Sequence, residues 1–361
     1  MRDHCLPLDG LELDHSRLPT GVCSGMTHET IARVFKRMLP GEIKLAAFRF
    51  AAQKAVRRGV LSVGAMCGTD DQPSMAQPEV LDDTPELLVK HAPELPVDVV
   101  VYAQTRNIER VLRLGLPRIG GCILTDGSFG SRTAALHEAY YDAPSERGIL
   151  YIQDEDLEDF FGSAHNKGLQ VAVHAIGDRA VDQVVRCWNK VLDCRNRNSL
   201  RHRIEHAELL NTGLIQSIAE LGLVLCVQPV FEQRWGGPSR MYATRLGSRY
   251  RLTNPWHELV KTGVVLAGGS DAPITPIDPI AGINAATSHP VVEHSVTRLQ
   301  ACRMFSDWAA YSLGIEHRKG SLTPGHDADF VHLSANPLET RDSRILRVFR
   351  SGTEVWAASS A

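Results

Sequence analysis

Short apolar runs alternating with amphipathic helical stretches are the feature that most limits what this sequence can fold into. Seven runs read as strands: 60–66, 97–103, 119–125, 169–174, 203–206, 223–227 and 264–267. Most are near-continuous in apolar residues, the pattern of strands covered on both faces. Between them lie helical stripes. Leu157, Phe160, Phe161 and Ala164 share one face, with Asp154 expected as cap and Gly168 as stop. Val181, Val184, Val185, Trp188 and Val191 form the next stripe, and Leu214, Ile215, Ile218 and Leu221 a third. Repeated strand–helix units require a parallel sheet with right-handed crossovers. The predicted class is α/β, a TIM-type (β/α)8 barrel, and seven strands leave it one short of closure. Helical stretches including Thr297–Leu313 follow, then a β-rich tail at 329–333 and 346–356. The Gly- and Arg-rich segment Phe231–Asn254 follows a strand end and reads as a mobile lid.

Composition excludes several classes. The net charge is −3, and basic runs such as Arg57-Arg58 and Arg201-His202-Arg203 are short, so no nucleic-acid surface is expected. No stretch is apolar for long enough to span a membrane. The first residues, Met1-Arg2-Asp3-His4-Cys5, lack a secretion-signal core. Eight cysteines without paired spacing fit reduced thiols and a cytoplasmic location.

Chemistry-bearing residues stand where strands stop, which is where parallel α/β folds gather their sites. Cys122 opens a run ending in Thr125-Asp126-Gly127-Ser128; His174 and His206 close their strands; Asp271 follows Gly268-Gly269-Ser270. Singly, each has a plain explanation: a hydrogen-bonded core histidine, a small buried thiol, a helix-capping aspartate. Together they form a donor set suited to zinc, with a carboxylate able to take a proton from water. A serine hydrolase built on Ser128 or Ser131 is disfavoured, because the Gly-x-Ser-x-Gly elbow is absent. A phosphate loop at Gly268–Ser270 lacks its glycine fingerprint and lysine.

Four motifs occur in order: Asp126-Gly127-Ser128-Phe129-Gly130-Ser131-Arg132-Thr133-Ala134-Ala135-Leu136, His174-Ala175-Ile176-Gly177-Asp178-Arg179-Ala180, Arg203-Ile204-Glu205-His206-Ala207 and Gly269-Ser270-Asp271-Ala272-Pro273. With Leu18–Val22 and Gly320–Val331, they resemble the signature set of amidohydrolase family 3, a branch of the metal-dependent amidohydrolases that includes N-substituted formamide deformylases. The resemblance implies that His174 and His206 are metal ligands and that Asp271 is both a ligand and the proton shuttle. It implies that Asp126 and Arg132 line the substrate pocket, although a turn carboxylate and a structural salt bridge explain them as well. Arg234, Trp235, Arg240 and Tyr242 of the Phe231–Asn254 segment are expected to shape specificity. Members carry a His-x-His pair on strand one, and this sequence has none. The resemblance therefore implies a chain that starts after that strand, with the barrel over 1–318 and a remnant of the family's β-sandwich over 319–361. Cys122 stands where many relatives have a lysine, and it resembles the cysteine ligand of D-aminoacylases. The implied activity is zinc-dependent hydrolysis of carbon–nitrogen bonds other than peptide bonds in a small amide-type substrate. The alternative is a degenerate, inactive barrel whose apolar gap favours homo-oligomers.

Overall fold

The computed structural model describes residues 11–23, 25–69, 82–192 and 198–359. It begins with an antiparallel hairpin, β1 (Leu11–Leu13) and β2 (Pro19–Cys23), and two helices, Gly25–Met38 and Gly41–Arg57. A parallel sheet follows: β3 (Ser62–Cys67), β4 (Asp98–Ala103), β5 (Arg118–Leu124), β6 (Gln170–Ala175), β7 (Arg203–His206), β8 (Val224–Val227) and β9 (Leu266–Gly268). These seven strands pair in sequential order, so the sheet curls as an open barrel with β3 and β9 at its edges. Each expected strand is present, displaced by two residues at most. Among the described residues, no helix is long and apolar enough to cross a membrane.

The period-two alternation of strands separates two environments. Val171, Val173, Ile204, Leu225, Val227 and Leu266 face outward. They pack with Leu157, Phe161, Val184, Trp188 and Ile218 from the surrounding helices. The alternate positions face the barrel interior, and many are polar: Tyr102, Gln170, His174, Arg203, Glu205 and Cys226. Strands that read as apolar on both faces therefore enclose a hydrogen-bonded core. The Arg203 guanidinium forks onto both oxygens of Glu205 (2.9 and 3.0 Å) and donates to Tyr102 Oη (3.0 Å) and Cys226 Sγ (2.6 Å). Tyr102 in turn donates to Gln170 Oε1 at 2.6 Å.

The N-terminal end of this interior is plugged by the end of the helix Asp307–Leu313. Leu313 packs with Val100, Tyr102 and Ala172. The backbone oxygens of Tyr311, Ser312 and Leu313 accept from Arg201, Gln170 and Arg118 at 2.9, 3.0 and 2.8 Å. The tail forms an antiparallel sheet of β10 (Phe330–Leu333), β11 (Ile345–Arg350) and β12 (Thr353–Ala357). Val348 and Trp356 pack with Ala52 and Val56 of the second helix. The Lys319 ammonium is enclosed by Asp98 at the start of β4 (2.5 Å), Asp327 (2.9 Å) and Asp329.

Two local expectations are corrected. Asp154 does not cap its helix. The N-cap is Gln153, and the Asp154 carboxylate instead accepts from Gln183 (2.8 Å) and Arg186 (2.6 Å) of the neighbouring helix. The segment Phe231–Asn254 is not a free lid. It forms helices Pro229–Trp235 and Met241–Leu246 and a 3-10 turn Gly247–Leu252. Tyr242 Oη donates to the buried Glu208, and Asn254 and Thr253 donate to the buried Glu232 at 2.8 and 3.1 Å. Its glycines punctuate short helices, and Arg245 and Arg249 bond to the 126–148 loop below.

Pairing of β5 with β6 slips between Gly120 and Leu124, which face Ala172 and His174. Four residues of β5 thus span two of β6, a bulge that re-aims the intervening side chains, Cys122 among them. Gly120 and Gly121 make it possible, with φ of +93° and +101°. A Cβ on Gly120 would stand 2.2 Å from the Ala172 carbonyl oxygen, a backbone atom that cannot step aside. Gly120→Ala is therefore expected to cost about 2–4 kcal/mol, read as a lower denaturation midpoint with an unchanged slope. A loss under about 0.5 kcal/mol would show that the bulge is not needed.

Candidate active site

Four side chains stand at strand ends on the C-terminal side of the barrel: Cys122 in the β5 bulge, His174 on β6, His206 at the end of β7, and Asp271 just after β9; Cys122 bonds His174, and Asp271 lies within electrostatic reach of it. The rings of His174 and His206 stand 4.5 Å apart, edge to face. Both histidines are buried.

Their hydrogen bonds fix which nitrogen is free. Gln228 Nε2 donates to the Cys226 oxygen at 3.0 Å, so Gln228 Oε1 faces His206 and accepts from Nδ1 at 2.7 Å. The neutral His206 ring is left with a lone pair on Nε2. His174 Nε2 lies 3.0 Å from the Gly127 carbonyl oxygen, which can only accept, so Nε2 carries the hydrogen and Nδ1 has the lone pair of the neutral ring. Histidine ligands of metals are oriented in this manner by a second acceptor.

Burial works against a charged His174, but hydrogen bonds to Asp126 and Cys122 outweigh it and raise its pKa well above the ordinary 6.5. Burial and the neighbouring His174 charge push His206 well below that value, against the Gln228 bond. Burial pushes the Asp271 carboxyl up to about 6; His174 opposes this and Glu205 adds to it. Asp271 does not cap a helix. The next one, Pro279–Ala286, is capped by Asp278, whose Oδ1 accepts from Ala281 N at 3.0 Å. Asp271 and His206 have φ of +49° and +75°, a left-handed conformation that costs free energy in residues other than glycine and clusters at functional sites.

The other expected site residues divide. Asp126 is fully buried and spent on the frame: it accepts from Ala135 N (2.8 Å), Gly177 N (2.8 Å) and Ile176 N (3.0 Å), and Oδ1 lies 3.5 Å from His174 Nε2. It positions His174 and offers no free acceptor to a substrate. Arg132 pairs with Asp142 at 3.0 Å, which Arg245 also bonds, and so ties the 126–148 loop to the segment above the mouth. Arg234 and Trp235 lie at the rim. Trp235 stands edge-on to Phe231 at 4.7 Å, and Phe231 lies over His206 at 5.9 Å. Gln228, Phe231 and Glu208 were not singled out in the sequence. Gln228 directly follows an apolar strand, just as His206 ends the strand before it, and that position was the available signal.

The four mouth donors are spaced more widely than a closed metal cluster. Among the described residues, only Asp154–Glu158–Cys187 and Asp98–Asp327–Asp329 bring three such donor atoms within 4.8 Å of one another. Both are already neutralised by protein cations, Arg186 and Lys190 in the first and Lys319 in the second.

Comparison with known proteins gives the same outline. The chain is 35% identical over 226 residues to amidohydrolase YtcJ of Bacillus subtilis (strain 168), covering 60% of this chain and 42% of that protein. It is 29% identical over 338 residues to LONG AFTER FAR-RED 3 of Arabidopsis thaliana, covering 88% of this chain and 57% of that one. The chain thus spans about half the length of these curated relatives. The crystal structure of an uncharacterised metal-dependent hydrolase from Pyrococcus furiosus superposes with a TM-score of 0.73 at 26% identity, over 88% of this chain and 65% of that one. The profile described as the amidohydrolase family matches residues 5–356, through all seven barrel strands and into the tail sheet, and the chain accordingly belongs to that family.

Proposed function

We propose that the barrel mouth hydrolyses carbon–nitrogen bonds other than peptide bonds in a small amide-type substrate. Cys122, His174 and His206 hold one divalent metal in this reading, with Asp271 at its open side. The observation that carries the proposal is the gathering of these groups at four strand ends, with Nε2 of His206 presenting a lone pair and Nδ1 of His174 able to do so once its ring gives up a proton. Two nitrogens, a thiolate and a carboxylate suit zinc. When bound, such a cation polarises a carbonyl and makes water easier to deprotonate.

The protein's own groups do the rest. Asp271 takes the proton from the attacking water and returns it to the leaving nitrogen. Gln228 and the Gly127 carbonyl hold the two imidazoles in register, and Asp126 fixes the ring plane of His174 from behind. Phe231 walls off one side of His206 from water. Arg132 is committed to Asp142 and takes no part in stabilising the developing oxyanion.

One observation favours a second reading, a non-catalytic barrel: the wide spacing of the donor atoms. Elemental analysis separates the two. The hydrolase reading expects about one zinc per chain, falling to a small fraction in His174→Ala and in His206→Ala. Metal-free wild-type protein, or full retention in both variants, would leave only the inert barrel.

A further inference from the structure

The β5 bulge that carries Cys122 opens on the most sparsely paired seam of the seven-stranded sheet. β3 and β4 pair over six residues, from Ser62 with Asp98 to Cys67 with Ala103, whereas β4 and β5 pair only at Ala103 with Ile119. On the other side, β6 pairs with Gly120 and Leu124 and skips the residues between them. Cys122 therefore stands outside both ladders. Gly120 and Gly121 permit this geometry with positive φ, and Met66 of β3 packs against Gly121 so closely that a Cβ there would collide with it. Neither feature sets the direction in which the Cys122 side chain leaves the backbone.

Gln104, directly after β4, supplies that direction. Its backbone N–H is anchored on β3, donating to the Cys67 carbonyl oxygen at 2.8 Å. From there its side chain reaches across the seam, and Nε2 donates to the Cys122 carbonyl oxygen at 2.6 Å. The bond takes the place of a missing ladder rung. Gln104 is half-buried, and among the described residues its side chain makes no other hydrogen bond. Fixing the carbonyl fixes the peptide plane that leaves Cys122, and the tetrahedral Cα then has little freedom in where it points Cβ. The thiol so aimed bonds His174, whose Nε2 is tied in turn to the Gly127 carbonyl oxygen at 3.0 Å. A glutamate of the same shape has no hydrogen to give when ionised, so the amide is the group this position requires.

We infer that Gln104 is a positioning residue: its amide replaces a strand pairing and aims the Cys122 thiol at His174. It acts through the Cys122 backbone and not on the reacting atoms. That role rests on the hydrolase reading for its effect on a metal, but not for the placement of the thiol. Groups that orient a metal ligand from behind contribute about 10- to 100-fold in metal affinity.

The test compares wild type with Gln104→Met, which keeps the length and removes the donor, and with Gln104→Glu, which keeps the shape. Either variant suffices should the other fail to fold. Crystal structures of the metal-free proteins read the placement. Wild type is expected to hold Cys122 Sγ within hydrogen-bond reach of His174, and the variants to displace it by more than about 1 Å. Cobalt(II) titrations read the consequence. The wild-type complex is expected to show a thiolate-to-cobalt charge-transfer band, which weakens or vanishes in the variants as the apparent Kd rises about 10- to 100-fold. On a Cys122→Ala background, Gln104→Met is expected to change that Kd by less than about twofold, because the side chain it acts through is gone. A Cys122 thiol that stays in place in the variants would overturn the inference, as would the full Gln104→Met effect persisting on the Cys122→Ala background. A displaced thiol with an unchanged Kd would uphold the placement and remove Cys122 from the ligand set. Wild type that binds no cobalt would sink the hydrolase reading, while the metal-free structures would still decide the role of Gln104.

Discussion

Asp271→Asn is expected to lower the turnover of a hydrolysed amide by about 10²–10⁴-fold, with a thermal midpoint at neutral pH no lower than wild type. The substitution keeps the shape and removes the proton-accepting oxygen. Asparagine tolerates the left-handed backbone that Asp271 adopts, so the turn from 269 to 275 keeps its form. Nothing else in the fold depends on the carboxylate: among the described residues it receives no hydrogen bond, in contrast to Asp126 and Asp278, which are saturated by backbone amides and a helix N-terminus. A half-buried, unbonded carboxylate pushed up to about 6 lowers stability at neutral pH, and its presence at the mouth calls for a chemical role. The measurement is single-turnover kinetics at saturating substrate on protein loaded with zinc. A rate within about threefold of wild type would remove Asp271 from the proton path.

Arg203→Met is expected to destabilise the protein by about 3–5 kcal/mol, because it strands a buried carboxylate. Arg203 and Glu205 are both nearly inaccessible and fork onto each other beneath the mouth. Burial already pushes the Glu205 carboxyl above its ordinary 4.5, with Arg203 opposing it. Without the guanidinium, the folded state holds that proton more strongly still, whereas the unfolded chain releases it near 4.5. A group raised in the folded state makes stability fall as pH climbs above its unfolded value. The variant should therefore lose most against wild type at neutral pH and least near pH 4. The double variant Arg203→Met, Glu205→Gln should recover part of the loss, since no unpaired charge remains. Equal losses at pH 4 and pH 7 would contradict this account. Urea denaturation at the two pH values supplies both numbers.

Periodicity exposed the skeleton in the sequence, because outward-facing Val171, Val173, Leu225 and Leu266 must be apolar to meet the helices. It concealed the barrel interior. Arg203 and Glu205 read as part of a short polar strand, and their pairing depends on Tyr102 and Cys226, which lie far away in the chain. His174 and His206 were legible because they stand at strand ends, but the partners that set their tautomers, Gly127 and Gln228, are supplied by other loops. Asp126 shows the limit in the other direction. Its position in a glycine-rich motif suggests an exposed role, and only the fold reveals three backbone amides waiting for it. The Phe231–Asn254 segment misleads for a related reason. Glycine and arginine resemble a loop in one dimension, whereas the buried acids that anchor it, Glu208 and Glu232, are visible only in three.

That anchoring has a kinetic consequence. A roof riveted to its floor by Tyr242 on Glu208 and by Asn254 on Glu232 cannot swing aside to admit a guest and then shut behind it. Encounter should follow simple second-order behaviour, with no slow rearrangement limiting capture.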